Sequence, residues 1–231
     1  MKKNLTELIF ILDRSGSMSG LEKETIGGFN SLVEKQRNEP GEANLTTVLF
    51  DSEYEFLHDR VDLKDVKPIT SKEYYVRGMT ALLDAIGFTI EKIKNAQNGF
   101  AKEEQAENVM FIITTDGMEN ASREYRADRI KAMIEEQEEK FGWEFLFIGA
   151  NLDSVETAGR YGISPDKAVN YQHDAYGVDA KYRAMEKAVH SVRSSGHLGA
   201  SWKEELEKGN KDSKSKKKGK LSRLKKTTGK K

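Results

Sequence analysis

The stretch Leu8-Ile9-Phe10-Ile11-Leu12-Asp13-Arg14-Ser15-Gly16-Ser17-Met18-Ser19 decides how this chain is read. Five consecutive large apolar residues that give way at once to small polar ones predict a fully buried strand ending at a sheet edge. Open α/β sheets place their ligands outside the carboxyl ends of such strands. One carboxylate (Asp13) and two hydroxyls (Ser15 and Ser17) are therefore expected where function sits. All are hard oxygen donors, with no imidazole or thiol among them, and they suit Mg²⁺, Mn²⁺ or Ca²⁺ rather than zinc.

Downstream, apolar residues at helical spacing (Ile26, Phe29, Leu32, Val33) predict a helix from Leu21 to about Arg37, closed by Pro40-Gly41. Leu45 to Phe50 and Tyr54 to Leu57, joined by a short polar turn, predict a hairpin whose second run is an antiparallel edge strand. A helix from Met79 to Ile93, a buried strand from Val109 to Ile113 and a charged amphipathic helix from Arg126 to Phe141 follow. After them come a strand at Phe145 to Ile148, a short helix at Leu152 to Tyr161 and a weak strand at Ala168 to Tyr171. The last helix carries one apolar stripe, Val178, Tyr182, Met185, Val189 and Val192, expected to pack in the core. Helices alternating with buried strands imply an α/β fold. The expectation is a doubly wound, mainly parallel sheet with one antiparallel edge strand and helices on both faces.

The zero net charge of the 231 residues conceals a division. Gly209 to Lys231 holds eleven Lys or Arg against one Asp, so it carries +10 and the preceding residues −10. Residues 1–197 are assigned to one globular domain and 198–231 to a basic tail. The tail composition, Lys-rich with few large apolar residues, predicts disorder. Such a tail either binds nucleic acid by counterion release or acts as a solvated, solubilising extension. The chain has no cysteine, which excludes disulfides and thiolate metal sites and fits a reducing compartment. Its first apolar run is too short for an export signal, and no stretch approaches the ~20 apolar residues of a membrane span. A soluble, cytoplasmic protein is expected.

Two further segments bear on the site. Thr80 lies in Arg77-Gly78-Met79-Thr80-Ala81, at the mouth of the second main helix, and Asp116 lies in Thr115-Asp116-Gly117, directly past the strand that ends at Ile113. If that strand neighbours the first, five oxygen-bearing side chains converge at the point where strand order reverses. The chain here resembles a von Willebrand factor type A domain of the intracellular bacterial or phage type. Asp13-x-Ser15-x-Ser17 is similar to that family's first metal-site motif, Gly78-x-Thr80 to its second and Thr115-Asp116-Gly117 to its third. The resemblance runs from about Leu8 to about Ser194. It implies a metal-ion-dependent adhesion site in which Ser15, Ser17 and Thr80 bind Mg²⁺, or Mn²⁺ or Ca²⁺, directly. Asp13 and Asp116 would bind directly or through water. It further implies a non-enzymatic module whose metal grips an Asp or Glu of a protein partner, such as an AAA+ ATPase or a stress-resistance component.

Simpler roles compete. Asp13, Ser15, Ser17 and Thr80 are all good helix caps, and Asp116-Gly117 is a common turn pair. Asp84 is expected to be a structural carboxylate, and Ser19, Glu119 and Asn120 to stand behind the ligands or line the rim. Arg14 and Met79 are expected to face outward beside the ion. The four histidines show no clustering and are assigned surface or helix roles. An aspartyl phosphotransferase would need a second aspartate where Ser15 stands, and a serine hydrolase would need a histidine against Ser17. The alternative function is nucleic-acid association through the tail.

Overall fold

In a computed structural model, residues 1–151 and 153–211 are described. Six strands form one sheet: β1 (Lys2–Asp13), β2 (Glu42–Phe50), β3 (Tyr54–Asp62), β4 (Ala106–Thr115), β5 (Glu144–Gly149) and β6 (Ala168–Asn170). Their order is β3-β2-β1-β4-β5-β6, parallel throughout except for the antiparallel β2–β3 pair. The helices are α1 (Glu22–Arg37), α2 (Leu82–Asn98), α3 (Ala127–Phe141), α4 (Ser154–Arg160) and α5 (Ala175–Ser195). This is the expected doubly wound, mainly parallel sheet.

The alternation of β1 explains the two layers. Leu8, Phe10 and Leu12 point to one face, where they join Phe29, Leu32 and Val33 of α1 and Val178, Met185 and Val189 of α5. Ile9 and Ile11 point to the other, against Ile86, Ile90 and Ile93 of α2 and Ile130 and Ile134 of α3. Because β1 is apolar on both faces, it can only be central. It lies between β2 and β4, and strand order reverses between β1 and β4.

The sheet edges are irregular. The β2–β3 register shifts twice, between Leu45 and Thr47 and between Thr47 and Val48. Arg60 of β3 has a φ of 52°, and its guanidinium reaches the fully buried Glu7 carboxylate at 2.6 Å. The other edge, β6, has three residues.

The segment assigned to a tail from residue 198 does not leave the globule at once. Trp202, 2% exposed, and Leu206 are buried in the core layer beneath α5. The Trp202 indole donates to the Asp166 carbonyl at 3.1 Å, and residues 204–211 are helical. The apolar surface of Trp202 and Leu206 supplies the reason, since it removes a side chain apiece from water. The Lys-rich part assigned to disorder and to nucleic-acid binding lies outside the described residues from 212 onward. Among the described residues, no helix is long and apolar enough to cross a membrane.

Candidate functional site

All five residues singled out in the sequence meet beyond the carboxyl ends of β1 and β4. Ser17 Oγ donates to Asp116 Oδ1 at 2.5 Å, and Ser15 Oγ and Ser17 Oγ lie 3.0 Å apart. Asp13 holds the loops together. Its Oδ1 accepts from the Ser15 backbone N–H at 2.7 Å, and its Oδ2 from the Thr115 hydroxyl at 2.7 Å. Thr80 closes the group from the third loop. A Cβ placed on Gly117 would lie 3.2 Å from both Ser17 Oγ and Thr80 Oγ1. Gly117 thus leaves open a small space that two hydroxyls from different loops face.

Backbone bonds fix these loops to one another. The Gly16 N–H donates to the Gly78 carbonyl at 3.1 Å, and the Asn120 N–H to the Thr80 carbonyl at 3.1 Å. Asn120 Oδ1 accepts from the Thr80 N–H at 2.9 Å. Gly78 has φ +68°, and a Cβ there would come within 2.8 Å of Ser52 Oγ, so the turn into Thr80 requires glycine. Asp84 accepts from the backbone N–H groups of Arg123, Glu124 and Tyr125, and Glu119 from those of Leu83, Ala121 and Ser122. Both serve as loop anchors.

The capping roles do not hold. The residue before α1 is Leu21 and the residue before α2 is Ala81, and neither helix has a side-chain cap. Ser15, Ser17 and Thr80 are therefore free of that duty. Arg14 is a correction: expected to face outward, it is fully buried. Its guanidinium donates to Asp51 at 2.7 Å and to Glu55 at 2.9 Å, and Asp51 also accepts from Arg77 at 2.8 Å. Alternation accounts for this, because Arg14 follows Asp13 in an extended chain and must point away from it. Met79, 54% exposed, does face outward, as does Met118 at 74%.

Two residues near the site were not anticipated. His173 stands between β6 and α5, and its Nε2 lies 2.6 Å from Asp116 Oδ2 and 3.0 Å from the Ser17 carbonyl. Its position just past the carboxyl end of a strand, as with Asp13 and Asp116, was the available signal. Lys181 of α5 is 1% exposed. Its ammonium sits 4.7 Å from the centre of the Tyr171 ring and 5.1 Å from that of Tyr182. Burial pulls its pKa down to about 8, against the opposing pull of Asp116 and Asp13. Burial likewise pushes the Asp13 carboxyl up, helped by the charge of Asp116 and opposed by the Ser15 and Thr115 hydrogen bonds.

The cluster is chemically suited to a small, hard cation: two hydroxyls face the space beside Gly117, and the Ser15 hydroxyl and the Asp116 carboxylate both stand within hydrogen-bond distance of one of them, Ser17 Oγ. Among the described residues there is no group of three or more His, Cys, Asp or Glu side chains able to hold a metal, so hydroxyls would have to contribute. The order Ser17–Asp116–His173 sets a carboxylate, not an imidazole, against the hydroxyl. That is not the arrangement of a hydrolase triad.

No protein-family model matches the chain, and no curated protein matches it significantly. Solved structures do. Manganese-loaded TRAP protein from Plasmodium vivax matches with a TM-score of 0.55 at 18% identity, over 78% of this chain and 72% of that one. A von Willebrand factor type A protein from Catenulispora acidiphila matches with a TM-score of 0.55 at 15% identity, over 80% and 42%. Proximal thread matrix protein 1 of the mussel byssus, with zinc in its MIDAS motif, matches with a TM-score of 0.55 at 14% identity, over 80% and 46%. The chain thus spans under half the length of the last two. From sheet order, edge strand and these likenesses together, the chain has the von Willebrand factor type A fold.

Proposed function

We propose that the chain is a non-enzymatic protein-binding module whose three-loop cluster holds a divalent cation, and that the cation binds an Asp or Glu of a protein partner. The observation that carries this reading is the space beside Gly117, faced by Ser17 Oγ and Thr80 Oγ1 at equal distance. Ser15, Ser17 and Thr80 would hold the ion directly. Asp116 would balance part of its charge, and Asp13, whose oxygens are engaged by chain donors, would position the loops. The metal-occupied sites of the TRAP and mussel proteins support the same use here. Neutral hydroxyls leave a dication under-neutralised, so it attracts an external carboxylate. The oxygens alone favour Mg²⁺, with Mn²⁺ or Ca²⁺ next.

The rim supports a protein partner. Met79 and Met118 adjoin Thr80 and Gly117 and are exposed, which gives a carboxylate-binding centre an apolar border. An AAA+ ATPase or stress-resistance component in the cytoplasm is the partner class we favour; the absence of cysteine fits that compartment. The test is calorimetric binding of Mg²⁺ and Mn²⁺ to the full chain, to Asp13→Ala and to Thr80→Ala, beside capture of a protein partner with and without EDTA. Ion binding and EDTA-sensitive capture should both be lost in the variants. Capture that survives EDTA and both substitutions would end the reading.

A further inference from the structure

We propose that His173 is an additional ligand of this metal site, and that its imidazole shifts the preference of the site from Mg²⁺ and Ca²⁺ toward Zn²⁺ and Mn²⁺. The inference rests on the metal-site reading above and deepens it.

Geometry comes first. In a shell with metal–ligand distances of about 2.0–2.2 Å, neighbouring donor atoms lie about 3 Å apart. The Ser15 Oγ to Ser17 Oγ distance of 3.0 Å has that spacing, while Ser17 Oγ to Asp116 Oδ1 at 2.5 Å and Asp116 Oδ2 to His173 Nε2 at 2.6 Å are closer, hydrogen-bonded contacts that a bound ion would widen by a few tenths of an ångström. His173 Nε2 therefore continues a chain of close-set donor atoms. The Asp116 side chain is fully buried and the His173 side chain is 26% exposed, so the imidazole lies on the solvent side of the carboxylate.

The segment that carries His173 is held in place. Asp174 caps α5 by accepting from the Gly177 N–H at 2.7 Å. A Cβ on Gly177 would lie 1.8 Å from the Gln172 carbonyl oxygen, so only glycine permits this tight approach. Upstream, the Tyr171 N–H donates to the Gly149 carbonyl at 2.8 Å. The imidazole is thus presented by a braced turn.

The chemistry follows from the partners of Nε2. The Asp116 carboxylate and the Ser17 carbonyl are both acceptors, so Nε2 carries the proton in this arrangement. A metal ion would take the Nε2 lone pair, and the single proton of the neutral ring would then reside on Nδ1. Neutral imidazole is a good donor to Zn²⁺ and related ions, whereas Mg²⁺ and Ca²⁺ take oxygen. A site of oxygens plus one imidazole therefore gains affinity for the first group without gaining it for the second.

The experiment compares Zn²⁺, Mn²⁺ and Mg²⁺ binding by the full chain, His173→Ala and His173→Gln, with nitrogen ligation of bound Mn²⁺ read by pulsed electron paramagnetic resonance. Gln keeps an N–H for Asp116 but loses the imidazole, so it separates holding the carboxylate from binding the metal. Both variants are expected to lose about 10–100-fold in Zn²⁺ affinity, to change Mg²⁺ affinity far less, and to lose the nitrogen coupling. Equal loss for Zn²⁺ and Mg²⁺, or rescue of Zn²⁺ binding by Gln, would overturn the proposal and leave the metal site standing. If the unmodified chain binds none of the three ions, the proposed function falls and this inference with it.

Discussion

Replacing Lys181 with Met tests how the interior beneath the site is charged. The Lys181 pKa falls from 10.5 to about 8 because burial outweighs the attraction of Asp116 and Asp13. At about 1.4 kcal/mol per pH unit, holding the ammonium inside costs about 3 kcal/mol at pH 7. The direction follows from proton counting. Between about 8 and 10.5 the unfolded chain holds the Lys181 proton and the folded chain releases it, so this residue makes stability rise with pH across that window. Below about 8 the full cost applies. Lys181→Met removes the charge and keeps an unbranched side chain of similar reach. The measurement is urea unfolding in EDTA from pH 7 to 10, read by fluorescence of the buried Trp143 and Trp202. Lys181→Met should be more stable at pH 7, and its advantage should shrink by about 2 kcal/mol at pH 10. Tyr171 and Tyr182, which burial pushes up in both proteins, cancel in the difference. An advantage that stays constant or grows with pH would refute the reasoning. It would mean that the two aspartates hold Lys181 as an ion pair stronger than its burial.

Three further outcomes are expected. Gly117→Ala puts a methyl group 3.2 Å from Ser17 Oγ and Thr80 Oγ1; calorimetry should show at least about a 10-fold loss of ion affinity, with unfolding changed by less than about 1 kcal/mol. Trp202→Ala should cost about 3–5 kcal/mol in urea unfolding, whereas a cost below about 1 kcal/mol would remove residues 198–211 from the folded core. Deleting residues 212–231 should abolish retention on a nucleic-acid column, and retention of the full chain should fall steeply between about 50 and 200 mM salt; equal elution of both proteins would assign the tail to solubility alone.

What the sequence revealed depended on how local the signal was. The apolar runs ending at Leu12 and Ile113 placed two central strands, because only a strand covered on both faces tolerates such continuity. Asp13, Ser15, Ser17, Thr80 and Asp116 could be grouped because each stands next to a run or helix of that kind. Arg14 was misjudged because its neighbours in sequence are site residues, while its partners, Asp51 and Glu55, lie on the next hairpin. His173 was missed because β6 is so short that its end gives little signal. Lys181 was hidden within an apolar stripe, where a charged residue reads as solvated until the packing of Tyr171 and Tyr182 is known. Trp202 lies beyond the last periodic helix, and no local pattern says that it folds back.

The two flanks of the sheet limit how anything can attach to this molecule. A ladder of three residues on one side and a doubly offset, kinked ribbon on the other give an incoming chain no regular row of amides to zip onto. Recruitment by strand addition, common among sheet proteins, is thereby discouraged. On the metal-site reading proposed above, association would pass through the crown of loops, where one point contact and its orientation would supply selectivity.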